Sequence, residues 1–175
     1  MTIEKNDEKW LNAEDQARFA ERLARLHFLG EQHGGPRDQL ITGGLIGYLA
    51  IDEACWCFIN GQFIACVVLT QIVLEHLLAG LFRIAGRDDI AGAGFGRILR
   101  EAHSERFISS AEFDKFNSLR AKRNPYSHSH KPLTPNSIEV RMLKANAPYE
   151  EIMEQDAREA LQMLFGILQR KPFAL

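Results

Sequence analysis

The sequence predicts an all-α, up-and-down helical bundle on three grounds. Two long apolar runs, residues 45–59 and 62–85, have helical periodicity and are joined by Asn60-Gly61. Amphipathic segments of the same period stand near both ends of the chain. Period-two alternation is confined to one short patch, "IEVRML", at residues 138–143.

Taken in order, the first helix is expected over residues 13–29. Phe19, Leu23, Leu26 and Phe28 form its apolar stripe, charged residues fill the other face, and Gly30 stops it. "GEQHGGPRDQ" is a turn-rich linker, after which Thr42 is placed to cap a second helix. Asn60-Gly61 breaks that helix, and a third follows to about Ala85. Such a pair packs as an antiparallel hairpin, and both members are apolar around most of their circumference, so both belong at the centre. "GRDDIAGAG" reads as a loop, and "FGRILREAHSERFI" as a short helix and a turn. Ser109 or Ser110 caps the next helix, "SAEFDKFNSLRAKR". Residues 131–148, with three prolines, read as an irregular insertion whose alternating patch is a loop or a small strand pair. The last helix, from Tyr149, sets Ile152, Ala157, Leu161, Leu164 and Leu168 on one side, and Pro172 ends it.

Length and composition narrow the function. The 175 residues fit one domain, and 46% hydrophobic with 25% charged residues argues for a packed core rather than disorder. A net charge of -2, from 21 basic and 23 acidic residues, argues against a broad basic surface, so any contact with nucleic acid must be local. Cys55, Cys57 and Cys66 lie in apolar runs without CxxC spacing and read as reduced core thiols, which suggests a cytoplasmic protein. The start, "MTIEKNDEKW", has no apolar signal core. Residues 63–82 approach the length of a membrane span, but Gln71, Glu75 and His76 are costly in a bilayer, so a buried helix and no membrane contact are expected.

The densest chemistry lies at "RAKRNPYSHSH", residues 120–130. Proline disfavours helical backbone in the residue before it and suits a first helical position, so Asn124 is a natural N-cap and Pro125 a natural first residue. The preceding helix is then expected to break or kink at Arg123. On an unbroken helix, residues five apart point roughly 140° away from each other, so a kink is what brings Arg123 and His128 to one cleft. Three uses of these residues are open. Asn124 caps while Arg123 and His128 are solvated. Alternatively His128 and His130 begin a metal site, but their spacing suits neither one helical face nor a common ligand set, so no metal and no cofactor are expected. The third use is RNA cleavage: an imidazole takes a proton from a ribose 2′-hydroxyl or gives one to a leaving 5′-oxygen, while a guanidinium holds the phosphate.

"RNPYSH" resembles the Arg-x4-6-His motif of the HEPN superfamily (higher eukaryotes and prokaryotes nucleotide-binding), with Asn124 as the polar residue that often follows the arginine. "FIACVVLTQIVLEHLLAGLF" is similar to that family's long central helix with its buried glutamate, here Glu75. The resemblance covers about residues 42–130 and extends to the final helix at about 150–170. It implies an up-and-down bundle, a homodimer with two Arg–His pairs in one cleft, and often metal-independent endoribonuclease activity. A toxin or defence role, with a separately encoded antitoxin, is part of the same implication. So is the alternative, a non-catalytic dimer that binds a nucleotide or a protein.

Under that implication Arg123, Asn124 and His128 are the candidate catalytic residues. Arg120, Tyr126 and His130 are the candidate contacts to RNA or nucleotide. Arg120 extends a phosphate-binding surface or is simply solvated, and Tyr126 stacks on a base or packs between helices. Glu75, one turn after Gln71, either orients Arg123 through a charge-assisted bond or belongs to a polar stripe at a helix crossing. The glycine-rich "GAGFG" at residues 92–96 lacks the Lys-Ser/Thr and the preceding strand of a nucleotide phosphate loop.

Overall fold

The computed structural model describes residues 5–32, 43–127 and 133–169. Among these the chain forms eight helices and no strand: α1 (Lys5–Gln32), α2 (Gly44–Ile59), α3 (Phe63–Ile84), α4 (Asp88–Ala91), α5 (Phe95–Ser104), α6 (Ser110–Ser127), α7 (Ile138–Ala145) and α8 (Tyr149–Leu168). The expected all-α bundle is what forms. Thr42 and Pro172 lie outside the described residues.

Helices α2 and α3 are separate and antiparallel, as the Asn60-Gly61 break predicts. Gly43 and Gly47, at the start of α2, lie against Leu77 and His76 towards the end of α3. The turn between them is built by local hydrogen bonds. Asn60 Nδ2 donates to the Trp56 carbonyl at 2.8 Å, and the Gln62 amide donates to the Cys57 carbonyl at 2.8 Å. Gly61 has φ +75°, the left-handed region in which a side chain is strained.

Centrality differs from expectation. Helix α3 is the hub, packed by α2, α4, α5, α6 and α8, and 61% of its most apolar window is buried inside the bundle. Val73, Leu74, Leu78 and Phe82 meet Phe58 of α2, Leu99 of α5, Phe116 and Leu119 of α6 and Leu161 and Leu164 of α8 in one core. Helix α2 is buried only along Gly47, Ala50, Ile51, Ala54 and Phe58; Leu45, Ile46, Leu49 and Trp56 face outward. Cys66 is in the core, whereas Cys55 and Cys57 are half-buried, and all three are free thiols.

The first helix is longer than expected at both ends and continues past Gly30. Its apolar residues also divide into two faces. Nine residues at 100° each place Phe28 roughly 180° round from Phe19. Phe28 and Leu29 face the bundle, Phe28 lying 5.4 Å from Phe58 between ring centroids, while Phe19, Leu23 and Leu26 are exposed. The inward face includes Arg25, 8% exposed, which pairs with Glu154 of α8 at 3.1 Å and lies over Phe63. Burial opposes it, but Arg25 and Arg158 together hold the Glu154 carboxyl below its ordinary range.

Two further elements, the loop at 86–94 and the patch "IEVRML", differ from the sequence reading, while α5 is the expected short helix and turn. The loop at 86–94 contains the short α4. "IEVRML" is helical: Ser137 Oγ accepts from the Val140 amide, and Asn146 ends α7 at φ +50°. Helix α5 stops with Arg106, φ +61°, where glycine is usual; the Phe107 amide donates back to the Ala102 carbonyl at 2.8 Å.

Gly61→Ala should lower stability by about 1–2 kcal/mol, because an alanine there must hold a left-handed backbone. Its Cβ also comes 3.3 Å from Arg25 Nη1. Urea unfolding measures the loss, and an unchanged midpoint would show that this turn is not strained.

Candidate functional site

Helix α6 carries the site. It begins in a reciprocal cap: the Ser109 amide donates to Glu112 Oε2 at 2.8 Å, and the Glu112 amide donates to Ser109 Oγ at 3.4 Å. From there Phe116, Leu119, Arg123 and Tyr126 recur at helical spacing on one face. The first two are buried in the core and the last two are partly buried. Two polar side chains therefore end an apolar face, and each must find a partner inside the bundle.

Arg123 finds α3. Its Nε donates to Oε1 of Gln71 at 3.0 Å, and Gln71 is 1% exposed. Glu75 stands one turn further along α3, within electrostatic reach of the same guanidinium. Burial raises the Glu75 carboxyl above its ordinary range, while Arg123 and then His76 pull it back down. Gln71 and Glu75 of the central helix thus meet the arginine of the motif. Gln71 supplies a hydrogen bond that the sequence does not assign.

Tyr126 finds α8. Its hydroxyl donates to Asp156 Oδ2 at 2.7 Å, and its ring packs against the core. Burial and then the Asp156 charge push the phenol further up, so it stays protonated. Of the two roles open for Tyr126, this is helix packing. Asp156, with its side chain 0% exposed, also accepts a two-pronged bond from Arg141 of α7, 2.6 Å at each oxygen, and lies 3.2 Å from Lys122 Nζ. Lys122 reaches Glu159 of α8 as well, at 2.5 Å. Each carboxylate oxygen therefore has two partners, which makes burial of the charge tolerable.

Asp156 is the residue the sequence reading missed. The available signal was an acid placed four residues after Ile152 and four before Ala160, within the apolar stripe of the last helix. A lone carboxylate at such a position must be paired.

Asn124 and Pro125 overturn one expectation. Helix α6 does not break at Arg123; Asn124 is a partly buried helical residue and Pro125 lies inside the last turn. Proline forfeits the amide that would bond the Ala121 carbonyl, a modest loss so close to a helix end. The Tyr126–Asp156 bond and the packing of Tyr126 hold that turn in place.

Arg120 turns to a different neighbour from Arg123. Its Nε and Nη2 donate to Asn117 Oδ1 at 3.2 and 3.0 Å, and Nη1 extends over the start of α5. His128 and His130 lie outside the described residues. What the structure brings together is therefore Arg123 with Gln71 and Glu75, and Tyr126 with Asp156; Arg120 stands one turn away on α6.

Comparison of the chain with protein-family models, with curated proteins and with solved structures found no match.

Asp156→Ala should cost about 3–5 kcal/mol, because it leaves Arg141 and Lys122 without the charge they surround. Chemical unfolding reads this directly, and a loss below 1 kcal/mol would mean the cluster is not a clamp. Glu75→Gln tests the raised carboxyl. The folded protein holds the Glu75 proton more tightly than the unfolded chain, so stability falls as pH rises from the ordinary glutamate value through the folded one. The variant lacks this titration, so its melting temperature should fall less over that interval. Parallel curves for variant and wild type would contradict the sign.

Proposed function

We propose that the protein is a HEPN-like, metal-independent endoribonuclease of the cytoplasm. The observation that carries this is Arg123, a partly buried guanidinium near the end of α6 that donates to Gln71 and lies within electrostatic reach of Glu75, five residues before His128 in sequence. A solvated surface arginine needs no such support from a buried amide and a partly buried carboxyl. The Nε bond occupies one edge of the guanidinium and stiffens the side chain, which suits it to hold a phosphate.

In this proposal His128 approaches Arg123 past the end of α6 at Ser127, not through a break within the helix. It accepts the proton of the ribose 2′-hydroxyl, and the 2′-oxygen attacks the adjacent phosphorus. The P–O5′ bond breaks, the 5′-oxygen leaves with a proton returned by the His128 imidazolium, and a 2′,3′-cyclic phosphate remains. Arg123 stabilises the charge that develops on the non-bridging oxygens. Asn124 fixes the geometry beside it. DNA lacks the nucleophile and is spared. A second copy of the chain is the proposed partner, placing two Arg–His pairs in one cleft. Support for association comes from the exposed apolar residues of α1 and α2, among them Phe19 and Leu49, and Leu26 and Trp56, which line a groove of about 440 Å³. A toxin paired with a separately encoded antitoxin is one setting for such an enzyme.

Purified protein should cleave single-stranded RNA in EDTA and leave DNA intact. His128→Ala should abolish cleavage, and Arg123→Lys should reduce it about 10²-fold, since the charge stays but the planar fork is lost. Undiminished cleavage by His128→Ala would overturn the assignment. Absence of cleavage by wild type on varied RNAs would favour a non-catalytic module that binds a nucleotide or protein. Sedimentation should give a dimer, and a monomer at micromolar concentration would contradict the two-copy cleft.

A further inference from the structure

Two guanidinium groups converge at Gly96, in the first turn of α5. The position a Cβ would occupy there lies 3.5 Å from Arg120 Nη1 and 3.9 Å from Arg100 Nη1. Arg120 comes from α6, and Arg100 stands one turn along α5 from Gly96. Among the described residues Arg100 makes no hydrogen bond or ion pair, and Arg120 donates only to the neutral Asn117 oxygen. Seven other arginines, Arg18, Arg22, Arg25, Arg87, Arg97, Arg141 and Arg158, each have a carboxylate within 4 Å, whereas Arg83 and Arg106, like Arg100 and Arg120, pair with none among the described residues. Two like charges brought to one point without a counter-charge repel each other, and an anion between them reverses that.

The chemistry of the place selects the anion. The Arg100 guanidinium and the Nη1 end of Arg120 bring N–H donors to Gly96, whose own amide has no backbone acceptor, and N–H donors of this kind suit a phosphate oxyanion. A side chain at 96 would stand in van der Waals contact with both guanidinium groups, where glycine leaves them open to a ligand. Arg120 is one helical turn from Arg123, so a strand whose reacting phosphate sits at Arg123 passes this point with a neighbouring phosphate.

We propose that Gly96, Arg100 and Arg120 form a subsite for a second phosphate of a single-stranded RNA, flanking the phosphate held at Arg123. The proposal rests on the ribonuclease reading for its ligand and not for its geometry. The test uses full-length His128→Ala protein, so that RNA is not consumed, and a fluorescein-labelled single-stranded 12-nucleotide RNA. Anisotropy is followed across a salt series, with pyrophosphate titrated in parallel by NMR.

Adding Arg100→Gln and Arg120→Gln should weaken RNA binding at least 10-fold. It should also reduce the slope of log K against log salt by about 0.7, the value for one phosphate contact on a single strand. Gly96→Ala should weaken binding several-fold while keeping or raising the melting temperature, since alanine favours the helix but fills the gap. The same affinity and salt slope in the double variant would overturn the subsite, even if wild type cleaves RNA. Pyrophosphate bound through these arginines by a protein that binds no RNA would overturn the RNA assignment. Loss of RNA affinity in both variants, alongside a wild type that does not cleave, would support the subsite and remove only the catalytic reading.

Discussion

A 22-residue helix as apolar as α3 can be kept from water only if other helices cover it on several sides. That covering requirement organises the molecule. Helices α2, α4, α5, α6 and α8 all pack on it, and its Leu74, Leu78 and Phe82 are fully buried. Two of its side chains, Gln71 and Glu75, go against the apolar character, and they face the helix that carries the motif. A polar group buried among aliphatic neighbours needs a partner, and Arg123 is the partner supplied. The core thereby sets the direction of the guanidinium assigned to function.

A second buried charge secures the same helix from the other side. Asp156 draws Tyr126, Arg141 and Lys122 onto α8, so the last turn of α6, the whole of α7 and the middle of α8 share one carboxylate. Arginines in this chain fall into distinct groups. Some close ion pairs at helix crossings, as Arg25 and Arg158 do with Glu154. Arg123 donates to the Gln71 amide oxygen and lies within electrostatic reach of the Glu75 carboxyl. Arg100 and Arg120 both reach Gly96 and pair with no carboxylate among the described residues. A net charge of -2 conceals this local concentration of positive charge, because acids elsewhere balance it in the sum.

Surface chemistry follows from the same economy of covering. With α3 already enclosed, α1 and α2 have more apolar side chains than the bundle can bury. Trp56 is 61% exposed and Phe19 is 64% exposed. Clusters of this kind on a small helical domain mark places where another surface fits.

How far the sequence alone reached depended on the range of the forces involved. The all-α class, the break at Asn60-Gly61, the cap at Ser109 and the extent of α3 were legible, because periodicity and turn chemistry act over a few residues. The helix at Ile138–Ala145 was readable in principle from Ser137 and Asn146, but alternation in a short segment is ambiguous between periods. Arg123, Glu75 and Tyr126 could be singled out by type and position. Their partners could not, since Gln71 and Asp156 are 52 and 30 residues away from the groups they bind. The continuation of α6 through Pro125 was likewise decided by tertiary contact, because the anchoring of Tyr126 on α8 outweighs a local preference against helix. Local sequence determined which helices form and where most of them stop. Packing decided which face of each helix is inside, and so which charges must answer one another, because burial is settled only when distant segments meet.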